Sequence, residues 1–464
     1  MNARPCSTAL AVARAACGVA AVLVTALPAV AQSAQDQAPT TVEPGAIPSE
    51  GPSADDAAPP PAAAGELGEG DGVDDWTDLF TEGEFDLNLR LRYEFADADG
   101  FDESNAFTLR TRIGFATAPV GGLSGYVALH DSRPLDYSLY NAAGLNGQPG
   151  KTVIADPRDG GLDQLYVKWV LPAELTGDVD TGLQGIVGRQ RIVLDDARFV
   201  GNVGWRNLEQ TYDAGVAKWD ATGDFDGLEV FYAYVNSVNR IFGPEADRDF
   251  DSNSHLANAS YDFGSVGKLT GFAYLLDFDN AAGLSSQTYG VRFAGKQLLN
   301  RSRSDLELAY VASYARQSDF ADNPIDYSAN YVLAEATLRK PKVASVGVGY
   351  ELLGSDDGTA AFQTPLATAH KFNGFADVFV TVPAAGLNDL YATVGATLPW
   401  EVDAKATVHL FFADDGGDSY GQEIDVTFGK QVNEHVSLLL KGAHFIGDDL
   451  PDVTRLWAQI EFEL

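Results

Sequence analysis

The chain has 464 residues, with 31 Lys and Arg against 66 Asp and Glu, a formal net charge of −35 and a pI near 4.3. That balance excludes a nucleic-acid partner, because neutralising phosphates takes clustered Lys and Arg. A mean hydropathy of −0.10 does not exclude a membrane, since a membrane β-barrel shows lipid only alternate residues of each strand.

Residues 1–31 read as a signal peptide. Arg4 and Arg14 supply positive charge, Ala15 to Leu27 is almost wholly apolar, and Ala29-Val30-Ala31 fits a cleavage site that leaves Gln32 as the mature start. An apolar run of about 13 residues is too short to cross a bilayer as a helix. Arg14 also stands where a lipoprotein signal would carry an aliphatic residue. Cys6 and Cys17 both fall inside this segment, so the mature chain holds no disulfide framework and no thiolate metal site. Residues 32–79 form an acidic, Pro- and Ala-rich leader with few aliphatic residues beyond Val42 and Ile47. Such a segment buries too little surface to offset its ordering entropy, and is expected to be disordered.

From Phe85 onward, segments of about ten residues alternate with period two, separated by Gly, Asp, Asn and Pro clusters. Phe85, Leu87, Leu89, Leu91, Tyr93 and Phe95 share one face, and Asp86, Asn88, Arg90, Arg92 and Glu94 the other. Phe107, Leu109, Ile113 and Phe115 then oppose Arg110 and Arg112, and Tyr289, Val291 and Phe293 oppose Arg292. Near the end, Ile424, Val426 and Phe428 oppose Glu423, Asp425 and Thr427, and Leu456, Ala458, Ile460 and Phe462 oppose Arg455, Gln459 and Glu461. A soluble sandwich or propeller also alternates, but apolar faces of about 9–11 residues match tilted membrane strands, and Tyr and Phe recur at strand ends as in aromatic girdles. The expectation for residues 80–464 is an all-β transmembrane antiparallel barrel.

Candidate strands begin near residues 85, 106, 124, 162, 183, 210, 227, 254, 267, 286, 304, 330, 343, 389, 404, 421, 436 and 454, giving about 18 strands, an even count as such barrels require. Counting Phe375 to Val380 as a further strand would place the acidic connections Asp414–Tyr420 and Ile446–Val453 on the periplasmic side. Residues 353–389 are therefore read as one long outer loop, positioned to fold into the pore. Residues 132–161, 191–209, 237–253 and 316–329 are further outer loops, and Ala118–Leu123, Arg339–Lys342 and Gln431–His435 are tight periplasmic turns. A barrel of this size leaves an aqueous lumen.

The inward strand face carries Arg90, Arg92, Arg110, Arg112, Lys168, Arg292, Lys441 and Arg455. Guanidinium groups on adjacent strands raise the local potential and concentrate anions. The competing reading is structural, with these arginines neutralised by inward acids such as Asp86, Glu94 and Glu335. Neither G-x-S-x-G nor H-E-x-x-H occurs. In His130-Asp131-Ser132, successive side chains of a strand point to opposite faces, so no catalytic set forms there. The six histidines show no metal spacing, and no loop shows a calcium spacing. No enzyme activity, cofactor or metal site is expected.

The segment from Gly188 through Arg189, Arg191, Asp195, Asp196, Arg198 and Phe199 to Trp205 and Arg206, followed by Glu209 to Asp213, resembles the alginate export porin family. His370-Lys-Phe-Asn-Gly-Phe-Ala-Asp377 and Asp163-Gln-Leu-Tyr-Val-Lys-Trp169 are similar too. The resemblance covers about residues 80–464, although the chain ends on Leu464 where a terminal aromatic is usual. It implies an outer-membrane barrel of about 18 strands with an electropositive constriction that conducts an anionic polysaccharide. By motif, Arg189, Arg191, Asp195, Asp196, Arg198, Arg206 and Asp213 would lie near the constriction, with Lys371 and Asp377 on a loop folded toward the pore. Arginine suits a uronate polymer because it meets each carboxylate with two donors. Expected partners are outer-membrane lipid and lipopolysaccharide, the barrel assembly machinery, and an anionic polysaccharide or small anionic solutes. A nutrient-uptake porin is the second functional reading, and an outer-membrane enzyme a distant third.

Overall fold

In a computed structural model, residues 78–176, 181–299 and 305–464 are described. The expected signal peptide, its cleavage site and the leader up to residue 77 lie outside the described residues. Alternation of apolar and polar side chains generates the strands in the order the sequence predicts. They are β1 (Glu84–Ala98), β2 (Ser104–Ala116), β3 (Leu123–Pro134), β4 (Asp159–Val170), β5 (Leu183–Gln190), β6 (Thr211–Asp220), β7 (Leu228–Asn239), β8 (Phe250–Asp262), β9 (Lys268–Leu276) and β10 (Ser286–Leu298). They continue as β11 (Glu307–Asp319), β12 (Ser328–Lys340), β13 (Ala344–Leu353), β14 (Ser355–Asp356), β15 (Ala360–Ala361), β16 (Leu387–Leu398), β17 (Val402–Phe412), β18 (Ser419–Gln431), β19 (Val436–Gly447) and β20 (Val453–Glu463).

β14 and β15 form a small separate hairpin, and the other strands form one 18-stranded sheet. Each barrel strand pairs antiparallel with its neighbours in the chain, and β1 pairs with β20 to close the ring. Closure satisfies every edge, which is what a sheet in hydrocarbon requires. Among the described residues, no helix is long and apolar enough to cross a membrane.

The two faces separate as the period-two pattern demands. On β1 and β2, Leu91, Phe107, Leu109 and Ile113 are 38–44% exposed on the outside, whereas Arg90, Arg92, Arg110 and Arg112 are at most 5% exposed on the inside. In register, Leu91 lies between Leu109 and Ile460, and Arg90 between Arg110 and Glu461. One irregularity sets an interior group. The β3–β4 register shifts between Ala128 and Leu129, so Asp163 and Gln164 are consecutive and both buried inside, while Leu162 and Leu165 both face out. A bulge of this kind re-aims a side chain that strict alternation would send to lipid.

One end of the barrel carries tight turns at residues 117–122, 341–343 and 432–435, and the other carries long loops. Two long loops turn inward. Residues 191–210, between β5 and β6, meet residues 354–386, between β13 and β16. Val200 bridges Leu366, the Gly201 amide donates to the Leu366 carbonyl at 2.9 Å, and the Thr368 amide donates to the Ala197 carbonyl at 3.1 Å. A Cβ on Gly201 would lie 2.3 Å from Thr368 Oγ1 and 2.7 Å from Ala197 Cβ, so the backbones approach this closely only because residue 201 is glycine. Phe199 anchors the pair to the wall, with its ring centroid 5.1 Å from Phe272, 5.0 Å from Tyr331 and 5.9 Å from Phe362. The Phe375–Val380 run lies within this second loop, not in a strand.

This arrangement makes the outward position of Leu91 testable. Leu91→Arg places a charge among Leu109 and Ile460 on the lipid side, and should destabilise the barrel by about 2–4 kcal/mol if it sits near the bilayer midplane. Denaturant titration of the lipid-embedded protein measures this, and an unchanged midpoint would contradict the assigned face.

Candidate functional site

The inserted loops cover a wall of cationic side chains on β1, β2 and β20. Asn88, Arg90 and Arg92 alternate along β1, opposite Arg112, Arg110 and Thr108 of β2 on one side and Glu463, Glu461 and Gln459 of β20 on the other. Arg110 donates to Glu461 at 2.6 Å and to Asn88 Oδ1 at 2.8 Å. Arg92 grips Gln459 Oε1 with two nitrogens at 2.7 and 2.9 Å. Arg112 pairs with Glu209, which also pairs with Arg191, and Asp163 lies 3.5 Å from Arg191 and 3.9 Å from Arg112. Arg206 reaches Asp377 at 2.7 Å and Glu94 at 3.3 Å, and Arg455 reaches Glu94 at 3.2 Å.

An aromatic stack sits against this wall. The Arg92 guanidinium lies 3.8 Å from the Trp205 ring centroid, and the opposite neighbour of Trp205 is His370, stacked at 4.6 Å and 9°. Lys441 Nζ lies 3.2 Å from the Phe375 ring centroid and 2.9 Å from His370 Nε2. His370 Nδ1 is 2.7 Å from Asp377 Oδ1. Burial, aided by the positive charges of Lys441 and Arg206, pulls His370 down to about 4 against the pull of Asp377. The neutral ring therefore donates from Nδ1 to Asp377 and accepts at Nε2 from the Lys441 ammonium. Burial alone would raise the Asp377 carboxyl, but the His370 contact and the Arg206 and Arg455 guanidiniums hold it below the usual carboxylate range.

The wall beyond β19 is acidic, beginning at β18, two strands from β20. Glu351 on β13, Asp389 on β16 and Glu423 and Asp425 on β18 are all at most 3% exposed. Glu351 pairs with Arg198 at 2.6 Å, and Asn373 donates to Glu351 and Asp389 at 2.7 and 3.1 Å. The Phe375 and Ala376 amides donate to Asp425 and Glu423 at 3.2 and 2.7 Å. The loops thus bridge a basic wall and an acidic wall. Among the described residues, no group of three or more His, Cys, Asp and Glu is arranged to hold a metal ion.

Most residues expected at the constriction gather here. Arg90, Arg92, Arg110, Arg112, Arg191, Arg198, Arg206 and Asp377 belong to the networks above. Arg292 faces inward and holds Asp196 at 2.9 Å, and Asp195 accepts from Asn258 on β8 at 3.0 Å. Lys371 lies on the inserted loop, half-buried beside Phe372. Lys168 is inward and buried on β4.

Arg189 and Asp213 are corrections. They pair bidentately at 2.8 and 3.0 Å, but in register they lie beside outward Leu165 and on the same face of β5 as Val187, which is 69% exposed. Strand parity therefore puts both on the outer surface at the long-loop end. Of the inward acids suggested as arginine partners, Glu94 does pair with arginine, whereas Asp86 accepts from the Tyr126 hydroxyl at 2.9 Å and Glu335 from that of Tyr391 at 2.7 Å. His130 contacts inward Asp163 at 3.2 Å while Asp131 turns out to Arg133 at 2.5 Å, so the contiguous triplet makes no catalytic set. The sequence marks Glu423, Asp425 and Glu461 as polar-face strand residues without singling them out, and Asn207, Asp156, Glu351 and Asp389 are additions. Glu351 and Asp389 carry the same signal, a place on the inward face of a strand, whereas Asn207 and Asp156 lie in loops without one.

A family model described as Alginate export matches residues 82–350. The chain belongs to the alginate export family. This family member also shares its fold with solved porins. It superposes on Pseudomonas aeruginosa OccK9 (OpdG) with a TM-score of 0.63 at 14% identity, covering 83% of this chain and 99% of that one. For Pseudomonas aeruginosa OccK1 (OpdK) the TM-score is 0.60 at 13% identity, covering 82% and 98%, and for Acinetobacter baumannii OccAB4 it is 0.59 at 12%, covering 82% and 98%. OpdK has also been solved with vanillate. Comparison with curated proteins found no match. The alginate export family member is an outer-membrane β-barrel channel.

The His370 environment sets a pH dependence. A histidine held below its ordinary 6.5 stabilises loop docking fully above that value, and the contribution is lost as pH falls from 6.5 toward about 4. The protection factors of residues 366–377, taken against intrinsic amide exchange at each pH, should therefore fall between about pH 6.5 and about pH 4. His370→Asn should remove that step, and an unchanged profile would show that the ring does not hold the loop.

Proposed function

We propose that this channel passes anionic polysaccharide or oligosaccharide, with the wall of Arg90, Arg92, Arg110 and Arg112 as the element that attracts and orients successive carboxylates. The observation that carries this reading is the concentration of guanidinium groups on adjacent strands at the level where the loops narrow the interior. Arg191, Arg206, Arg455 and Lys441 adjoin them, interleaved with the carboxylates of Glu94, Asp156, Asp163, Glu209, Asp377 and Glu461. A repeating acidic sugar suits repeated planar donors, because each guanidinium presents a fork matched to a carboxylate. Family membership supports the same substrate class. The acidic wall of Glu351, Asp389, Glu423 and Asp425 favours a second reading, uptake of small solutes that carry both an anionic and a cationic group.

The test is block of single-channel current by uronate oligomers compared with neutral oligomers of equal length. The parent should be blocked by uronates far more strongly. Arg110→Gln with Arg112→Gln should weaken that block about tenfold or more, since a hydrogen bond to a charged group contributes about 1.5–3 kcal/mol. The loss should grow at low salt, where screening is weaker. Equal block by neutral and acidic oligomers would contradict the anionic reading.

A further inference from the structure

The arginine wall is not met by acids throughout. Arg110, Arg112 and Arg92 each have a carboxylate within 4 Å, in Glu461, in Glu209 and Asp163, and in Asp156 respectively. Arg90 is 1% exposed and has no ion pair among the described residues. Its acceptors are neutral oxygens of the β5–β6 loop: the Gly204 carbonyl at 3.3 Å from Nη1, and Asn207 Oδ1 at 2.9 Å from Nη2. The Arg90 Nε is buried without any partner. The same short segment supplies the Gly204 carbonyl to Arg110 at 3.4 Å and the Trp205 carbonyl to Arg92 at 2.7 Å.

Two oxygens, one on each terminal nitrogen of a single guanidinium, reproduce the end-on contact that a carboxylate makes. Here both oxygens are uncharged. A carboxylate carries the same pair of acceptors with a full negative charge, which adds Coulombic attraction to the bonds the guanidinium makes. The backbone that presents the oxygens is also held out of its preferred conformation. Val203, the residue before Gly204, has φ of 51°. A β-branched residue in that region is strained and persists only where surrounding contacts over-determine it. Those contacts include Thr368 Oγ1, which accepts the Val203 amide at 3.2 Å.

We propose that residues 204–207 act as a built-in stand-in for the solute: Gly204 and Asn207 occupy the carboxylate site of Arg90 in the resting channel, and an incoming uronate carboxylate displaces them. Displacement relaxes Val203 and moves the loop away from the wall. Arg206 lies between the two displaced residues and bonds Asp377, so the movement reaches the loop of residues 354–386 as well. Entry of the anionic solute is then coupled to widening of its own path. This proposal rests on the anionic-solute reading above.

The experiment uses the full-length channel with trimeric galacturonate as probe. Asn207→Asp gives Arg90 an internal charged partner and should weaken galacturonate block about tenfold, while Asn207→Ala removes the competing oxygen and should strengthen it. Asn202→Cys adds a thiol to the same loop, and galacturonate should accelerate its labelling in the Asn207 parent but not in the Asn207→Asp background. That readout separates displacement from simple charge repulsion. If the parent is blocked but the Asn207 variants block alike and labelling ignores galacturonate, the stand-in is overturned and the functional reading stands. If the parent is not blocked at all, both fall.

Discussion

Drying a guanidinium group is costly unless most of its donors find partners, and the interior of this barrel is organised by that constraint. Period-two alternation sends Arg90, Arg92, Arg110 and Arg112 inside, while the same strands turn Leu91, Leu109 and Ile113 toward lipid. The strands alone provide few acceptors: Glu461, Gln459, Asn88 and Asp163. The remainder come from loops, as Gly204, Trp205, Asn207 and Glu209 of one and Asp156 of another. The loops lie in the lumen because the wall needs them there, and they in turn are fixed by it. Arg206, Arg198 and Asp377 extend the same logic, tying loop to loop and loop to β13.

The sign of the chain and the sign of the site are separate quantities. A net charge of −35 describes the whole sequence, including the acidic leader and the loop tips. A solute at the arginine wall feels groups within a few ångströms, whereas exposed charges beyond about 8 Å are largely screened at physiological salt. Around the ring the basic side chains of β2, β1 and β20 give way, past β19, to the acidic ones of β18, β16 and β13, so the wall changes sign along its circumference.

Much of this was legible in the sequence, because period-two alternation is a local property. Each barrel strand begins within a few residues of its expected start, and the largest shifts fall at Asp159, Phe250 and Glu307, the first two where Gly160-Gly161 and Asp251 to Asn253 blur the pattern. The long β13–β16 loop followed from strand parity. Partners were not legible, since Arg110 and Glu461 are separated by 351 residues and meet only on closure of the ring. The bulge at Asp163 breaks alternation and hid an inward acid. Arg189 and Asp213 misled in the opposite way: motif placed them at the pore, although Leu183 and Val187 already marked that face of β5 as outward. The inward apolar Ile186 obscured the parity there.

The central claim is that local positive charge governs this acidic protein's interior. Reversal potential across a planar bilayer with a potassium chloride gradient tests it most directly, using the unmodified channel with both loops intact. The account predicts a reversal potential on the chloride side, larger at low ionic strength. A potential on the potassium side would contradict it, showing that the interior carboxylates of Glu351, Asp389, Glu423 and Asp425 outweigh the arginine wall.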